Sequence, residues 1–169
     1  MVNLSSLHIA VVCHDAGGAE IVSSLSRRLN LDCKYSLFGP AVLIFQRKIE
    51  GIVNQSIANA LDGVDILICG TSSPSTYELE AISLARSRGI RSVAILDNWI
   101  NYRERFVRLQ QLIIPSEIWV VDKIAEQLAS RALPEVSIKL IENPYKEDCL
   151  EMLREVQNES SSDFESGSP

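Results

Sequence analysis

Val11-Val12-Cys13-His14-Asp15-Ala16-Gly17-Gly18-Ala19-Glu20 carries an apolar strand into a glycine turn and out again into a helix. The strand reads over residues 7–13, and Ile21, Val22, Leu25 and Leu29 then recur on one helical face behind Gly17-Gly18. An open α/β sheet places its chemistry at such a strand end, beside the unpaired amides of the following helix.

The same unit repeats along the chain. A second strand over residues 33–38 ends at Gly39-Pro40, a helix follows over residues 41–49, and another short helix is expected over 54–61. Asp65-Ile66-Leu67-Ile68-Cys69-Gly70 reads as a central strand buried on both faces. Ser75 and Glu78 have capping-box spacing, Leu79, Ile82 and Ala85 give the next helix its apolar face, and Gly89 stops it before a strand over 92–96. A strand over 118–121, an amphipathic helix over 123–132 halted by Pro134, a strand over 136–141 and a helix over 146–157 complete the pattern. Near-continuous apolar strands joined by helical crossovers imply a doubly wound, Rossmann-like parallel sheet of about six strands in three α/β/α layers. One domain over residues 1–157 is expected. Residues 158–169 are serine, acid and glycine with a single Phe164, a composition that predicts a disordered tail.

At 169 residues the chain is long enough for a core that needs no disulfide or metal staple. Cys13, Cys33, Cys69 and Cys149 form no CxxC pair and have no histidine at metal spacing, so no metal site is expected, and Cys13 and Cys69 read as small buried hydrophobes. Net charge is −6, yet residues from Glu142 onward hold eight acids and two bases, so the rest of the chain is balanced. A neutral body presents no broad basic field, which argues against a nucleic-acid partner. The longest apolar runs, such as Val93-Ala94-Ile95-Leu96, are strand-sized, so no transmembrane segment is expected. The opening residues lack a basic stretch, and a cytoplasmic location follows as the expectation. Trp119, inside an alternating strand, reads as core.

Carboxyl ends of parallel strands converge on one rim, which gathers three segments. In the first, His14 can accept a proton from a substrate hydroxyl with Asp15 orienting it, while Gly17 and Gly18 allow close approach of a ligand. The glycines lack the G-x-G-x-x-G spacing of dinucleotide sites, no cofactor is expected, and His14 and Asp15 equally suit a structural role at the strand end. In the second, Thr71 and Ser72 offer hydroxyls to a sugar or phosphate, although serine-rich helix starts also serve capping. In the third, Asp97, Asn98, Trp99, Tyr102, Arg103 and Arg105 are unusually polar and aromatic for a connection after a buried strand. Trp99 and Tyr102 can stack on a ring, and Arg103 or Arg105 can pair with an anion. The same aromatics can instead dock on the domain while the charges pair among themselves.

His14-Asp15-Ala16-Gly17-Gly18-Ala19-Glu20, Gly70-Thr71-Ser72, Leu96-Asp97-Asn98-Trp99, Asn101-Tyr102-Arg103-Glu104-Arg105-Phe106, Pro115-Ser116-Glu117-Ile118-Trp119-Val120 and Asn143-Pro144-Tyr145 together resemble the amino-terminal half of glycosyltransferase-like polysaccharide-biosynthesis proteins. The resemblance spans residues 7–146 and implies a two-domain GT-B architecture, in which the amino-terminal domain holds the acceptor and the carboxyl-terminal one the nucleotide-sugar donor. It implies an acceptor-side domain or subunit that binds a sugar or sugar phosphate. The base would be His14 or Asp15, and Arg103 or Arg105 would anchor an acidic or phosphorylated acceptor. Past Asn143-Pro144-Tyr145 only one helix and the tail are expected, so the donor half would come from a partner protein. The alternative is a non-catalytic Rossmann-like module that binds a nucleotide or sugar phosphate, or that mediates protein association, including homo-oligomers. A free-standing small enzyme fits less well, because no nucleophile elbow is evident.

Overall fold

Pleated strands send successive side chains to opposite faces, so a strand buried on both faces must be apolar at every position. Ile9–Cys13 and Ile66–Cys69 meet that requirement residue for residue. The computed structural model describes residues 4–72 and 75–165, with side chains through residue 157. In chain order the elements are β1 (Ile9–Cys13), α1 (Ala16–Arg28), β2 (Cys33–Leu37), α2 (Pro40–Lys48), α3 (Ile57–Ala60), β3 (Ile66–Cys69), α4 (Tyr77–Ser87), β4 (Arg91–Leu96), β5 (Val107–Arg108), β6 (Gln111–Leu112), β7 (Glu117–Val120), α5 (Lys123–Ala132), β8 (Ser137–Leu140) and α6 (Pro144–Glu165). Six strands form one parallel sheet in the order β2-β1-β3-β4-β7-β8, the doubly wound Rossmann-like arrangement expected.

Each face of the sheet has its own core. Ile9, Val11, Cys13, Ile66, Ile68, Val93, Ile95 and Trp119 pack toward α1 and α2, with Phe45 fully buried among them. Ala10, Val12, Leu67, Cys69, Ala94, Leu96, Ile118 and Val120 pack toward α4 and α5. Cys13 and Cys69 thus lie on adjacent strands but on opposite faces, and burial pushes both thiols well above their ordinary pKa. Trp119 is core as expected, 6% exposed, and its indole N–H donates to Glu117.

Four details differ from the sequence reading, each for a local reason. The helix expected over 54–61 shrinks to α3, because the Asn54 side chain accepts from Leu37 N–H at 2.7 Å and donates to Leu37 C=O at 2.8 Å, pinning that stretch beside β2. The capping box does not close: the Ser75 hydroxyl accepts from Tyr77 N–H, but Glu78 turns away and accepts from the His14 backbone N–H at 2.8 Å. A hairpin appears at β5–β6 with Leu109 and Gln110 both at positive φ, 47° and 62°, where the usual Asn-Gly signal is missing. Finally, α6 starts at Pro144, capped by Asn143, and its backbone continues through Glu165. The expected tail over 158–169 falls outside the residues whose side chains are described.

Among the described residues no helix is long and apolar enough to cross a membrane. The helix after β1 covers one face and the helix after β3 the other, which sets the switch in winding between these two neighbouring strands.

Candidate functional site

In doubly wound sheets a ligand ordinarily enters the crevice at the switch between β1 and β3. Here the first turn of α1 packs so closely on the end of β3 that a Cβ on Gly18 would stand 2.9 Å from Gly70 Cα. The two glycines let the first turn of α1 rest on the end of β3. Function-capable groups therefore divide into two clusters on either side of this contact.

The first cluster surrounds His14. Its ring stacks on Phe38 with centroids 5.6 Å apart, and Phe38 in turn lies 5.6 Å from Tyr77, whose hydroxyl hydrogen-bonds Ser36 at 2.7 Å. Gly39, at φ 56°, leaves room for the imidazole, since a Cβ there would come within 2.9 Å of His14 Nε2. His14 Nδ1 is buried without a hydrogen-bond partner among the described residues, and so is Glu78 Oε2. Glu78 is 2% exposed, and burial raises its pKa against the opposing pull of the His14 N–H bond. Asp15 occupies the N-cap position of α1 with extended backbone but makes no side-chain capping bond.

The second cluster is built on a buried ion pair. Arg105 Nη1 donates to Asp97 Oδ1 at 2.7 Å and to Thr71 Oγ1 at 2.8 Å, and the two charged side chains are only 4% and 10% exposed. Arg105 reaches this place from the short 3₁₀ turn Glu104–Phe106, which Phe106 and Tyr102 fasten into the core on the α4/α5 side. Thr71 completes the clamp by donating to Ile95 C=O. The other oxygen, Asp97 Oδ2, lies over Gly17, where it would be 2.0 Å from any Cβ. Gly17 is glycine because Asp97 occupies its side-chain space.

Beside Asp97 an open recess of about 310 Å³ is lined by Gly17, Glu20, Ile21, Asn143 and Tyr145. Asn143 Oδ1 accepts the amides of Tyr145 and Lys146 at 3.1 Å each, leaving its Nδ2 as a donor. Lys48 lies 4.7 Å over the Tyr145 ring and pairs with Glu20, which also meets Arg47 at 3.4 Å. A larger hollow of about 480 Å³ lies along α2 between Pro40 and Arg47, but it is the outer surface of one helix and gathers no converging polar groups. The rim recess is therefore the better candidate.

No protein-family model, curated protein or solved structure matches the chain.

Of the residues expected at the rim, Gly17 and Asp97 line the recess, while Arg105, itself bonded to Thr71, holds Asp97 from behind. The Ser72 hydroxyl is occupied with the backbone of Ser75, and Asn98 accepts from Ile100 N–H. Trp99 is 55% exposed with its indole N–H donated to Asp122 at 2.8 Å, whereas Tyr102 is 5% exposed and its hydroxyl has no partner among the described residues. Burial holds the Tyr102 pKa above its usual value. Arg103 points away, to Glu135 at 2.8 Å and Ala132 C=O at the far end of α5. His14 and Asp15 do not line the recess. Glu20, Asn143 and Tyr145 were not singled out as site residues, although the Asn-Pro-Tyr run is a visible helix-start signal.

Proposed function

We propose that the protein is the acceptor-side part of a glycosyltransferase-like protein of polysaccharide or glycoconjugate assembly, with a sugar or sugar phosphate held in the rim recess. The observation that carries this reading is the Asp97 carboxylate: Arg105 fixes one oxygen, and the other lies at the recess beside an amide donor and an aromatic ring. Sugar hydroxyls both donate and accept, so they match an acceptor at Asp97 Oδ2 and a donor at Asn143 Nδ2, while the Tyr145 ring offers a face for the apolar side of a pyranose. A nucleotide is less well served, because the turn after β1 lacks the G-x-G-x-x-G spacing of dinucleotide sites. The reading requires a donor-binding half, supplied in the same polypeptide or by a partner. Its base would be His14 or Asp15, just after β1 but outside the recess lining, acting on a part of the acceptor that extends past Gly17.

The test is an amide chemical-shift titration with simple sugars, sugar acids, nucleotides and nucleotide sugars. Sugars are expected to move the signals of Gly17, Asn143 and Tyr145, and Tyr145→Ala to weaken that response. Nucleotides alone moving those signals while sugars do not would overturn the reading. The second reading, a binding module without catalysis, draws on the packing of His14 against Phe38 and Gly39, away from the recess lining. With the donor-binding half supplied, loss of transfer in His14→Ala or Asp15→Ala with retained sugar binding favours the transferase. Binding with no transfer by the unmodified protein favours the module.

A further inference from the structure

We infer that the rim recess selects an uncharged sugar and rejects phosphorylated ones, because Asp97 already takes the anion's place at the start of α1. This deepens the sugar-site reading above and rests on it.

A helix N-terminus attracts anions through its unpaired amides and its dipole. At α1 that attraction is not met by the usual cap, since Asp15 makes no side-chain bond to the first turn. Asp97 stands there instead, its Oδ2 in the volume that a Gly17 side chain would fill. The carboxylate cannot swing aside cheaply. It is nine-tenths buried, and Oδ1 is tied to an arginine that is itself tied to Thr71. Among the described residues no hydrogen bond reaches Oδ2, so it is a fixed, unused acceptor at the recess.

The second helix start in the recess has a hydrogen-bonding cap of its own. Asn143 Oδ1 takes the Tyr145 and Lys146 amides of α6, so those donors are not offered to a ligand. Cations give no help either. Neither lysine nor arginine lines the recess, and Lys48, the cation over the Tyr145 ring, is engaged by Glu20 and by the Ser24 hydroxyl at 2.9 Å. A phosphate would therefore sit beside two carboxylates, Asp97 and Glu20, whose cations Arg105, Lys48 and Arg47 are already paired with them, and among the described residues no free positive group lines the recess. Hydroxyls meet no such opposition. They can donate to Asp97 Oδ2 and accept from Asn143 Nδ2.

The experiment compares methyl glycosides of neutral hexoses with their 6-phosphates, and adds inorganic phosphate alone, by amide chemical-shift titration of the full chain. The neutral glycoside is expected to bind at least about tenfold more tightly than its phosphate, with the gap narrowing as salt screens the carboxylates. Asp97→Asn should weaken the glycoside and let inorganic phosphate move the Gly17 amide. Glu20→Gln, which leaves the Arg105 clamp intact, should narrow the gap without loss of fold and so keeps the test decisive if Asp97→Asn unfolds. Equal or tighter binding of the phosphorylated sugar overturns the inference while leaving the sugar site standing. Failure of both sugar forms to bind overturns the sugar site and the inference with it.

Discussion

Replacing Arg105 by methionine keeps the length and apolar stem of the side chain but removes its bonds at the rim, to Asp97 at 2.7 Å, to the Thr71 hydroxyl at 2.8 Å and to the Thr71 C=O at 3.4 Å. Asp97 would then be an ionised group, 10% exposed, without its cation. Breaking a buried pair on one side costs about 3–5 kcal/mol, because the remaining charge has lost water and gained nothing. For a chain of this size that corresponds to a fall of roughly 10 °C in Tm. Urea denaturation read by circular dichroism gives the free energy, and an unchanged m-value shows that the two-state comparison holds. Adding Asp97→Asn to Arg105→Met should recover part of the loss, with a coupling of about 1 kcal/mol or more. Arg103→Ala, two residues away but paired at the surface, should leave the midpoint unmoved. A loss below about 1 kcal/mol in Arg105→Met, or strict additivity in the double variant, would refute the clamp as the element that fixes Asp97.

Gly18→Ala should destabilise by about 1–3 kcal/mol, since its Cβ would meet Gly70 Cα at 2.9 Å and neither backbone can yield easily; a thermal scan checks it. Glu78 has a folded pKa raised by burial above its ordinary 4.5, so its contribution is present below that value and is lost as pH rises through the folded one. Relative to Glu78→Gln, the unmodified protein should thus lose stability as pH rises above about 4.5, measured as the difference in urea midpoints. In the hairpin turn, Leu109→Asn with Gln110→Gly should raise stability by about 1 kcal/mol, because both positions have positive φ and Leu109 is 89% exposed, with no packing to lose. A Tm below that of the unmodified protein would contradict this account.

The fold was legible because its strands leave no choice: positions in β1 and β3 buried on both faces must be apolar, and the glycines at 17–18, 39 and 89 punctuate them. The site was only partly legible. Gly17 and Asp97 could be named, since a glycine turn and a polar strand end are local signals, but their contact joins residues 80 positions apart and no periodicity reports it. Arg103 and Arg105 look equivalent in sequence. The 3₁₀ turn sends one into the rim and the other to Glu135, a distinction made by where Tyr102 and Phe106 find space in the core. The spacing of Glu78 from Ser75 predicts a capping role. The His14 N–H, just past the end of β1 and 64 residues away, donates to Glu78 instead, which local spacing does not show.

Cys13 and Cys69 sit on neighbouring strands, in a register that pairs Val12 with Cys69, yet the pleat sends the two sulfurs into separate cores. No rotamer can bring them through the sheet to bond, and burial keeps both in the protonated, unreactive form. The centre of the sheet therefore responds to an oxidant as it does to a reductant, and its stability stays independent of the redox poise around it.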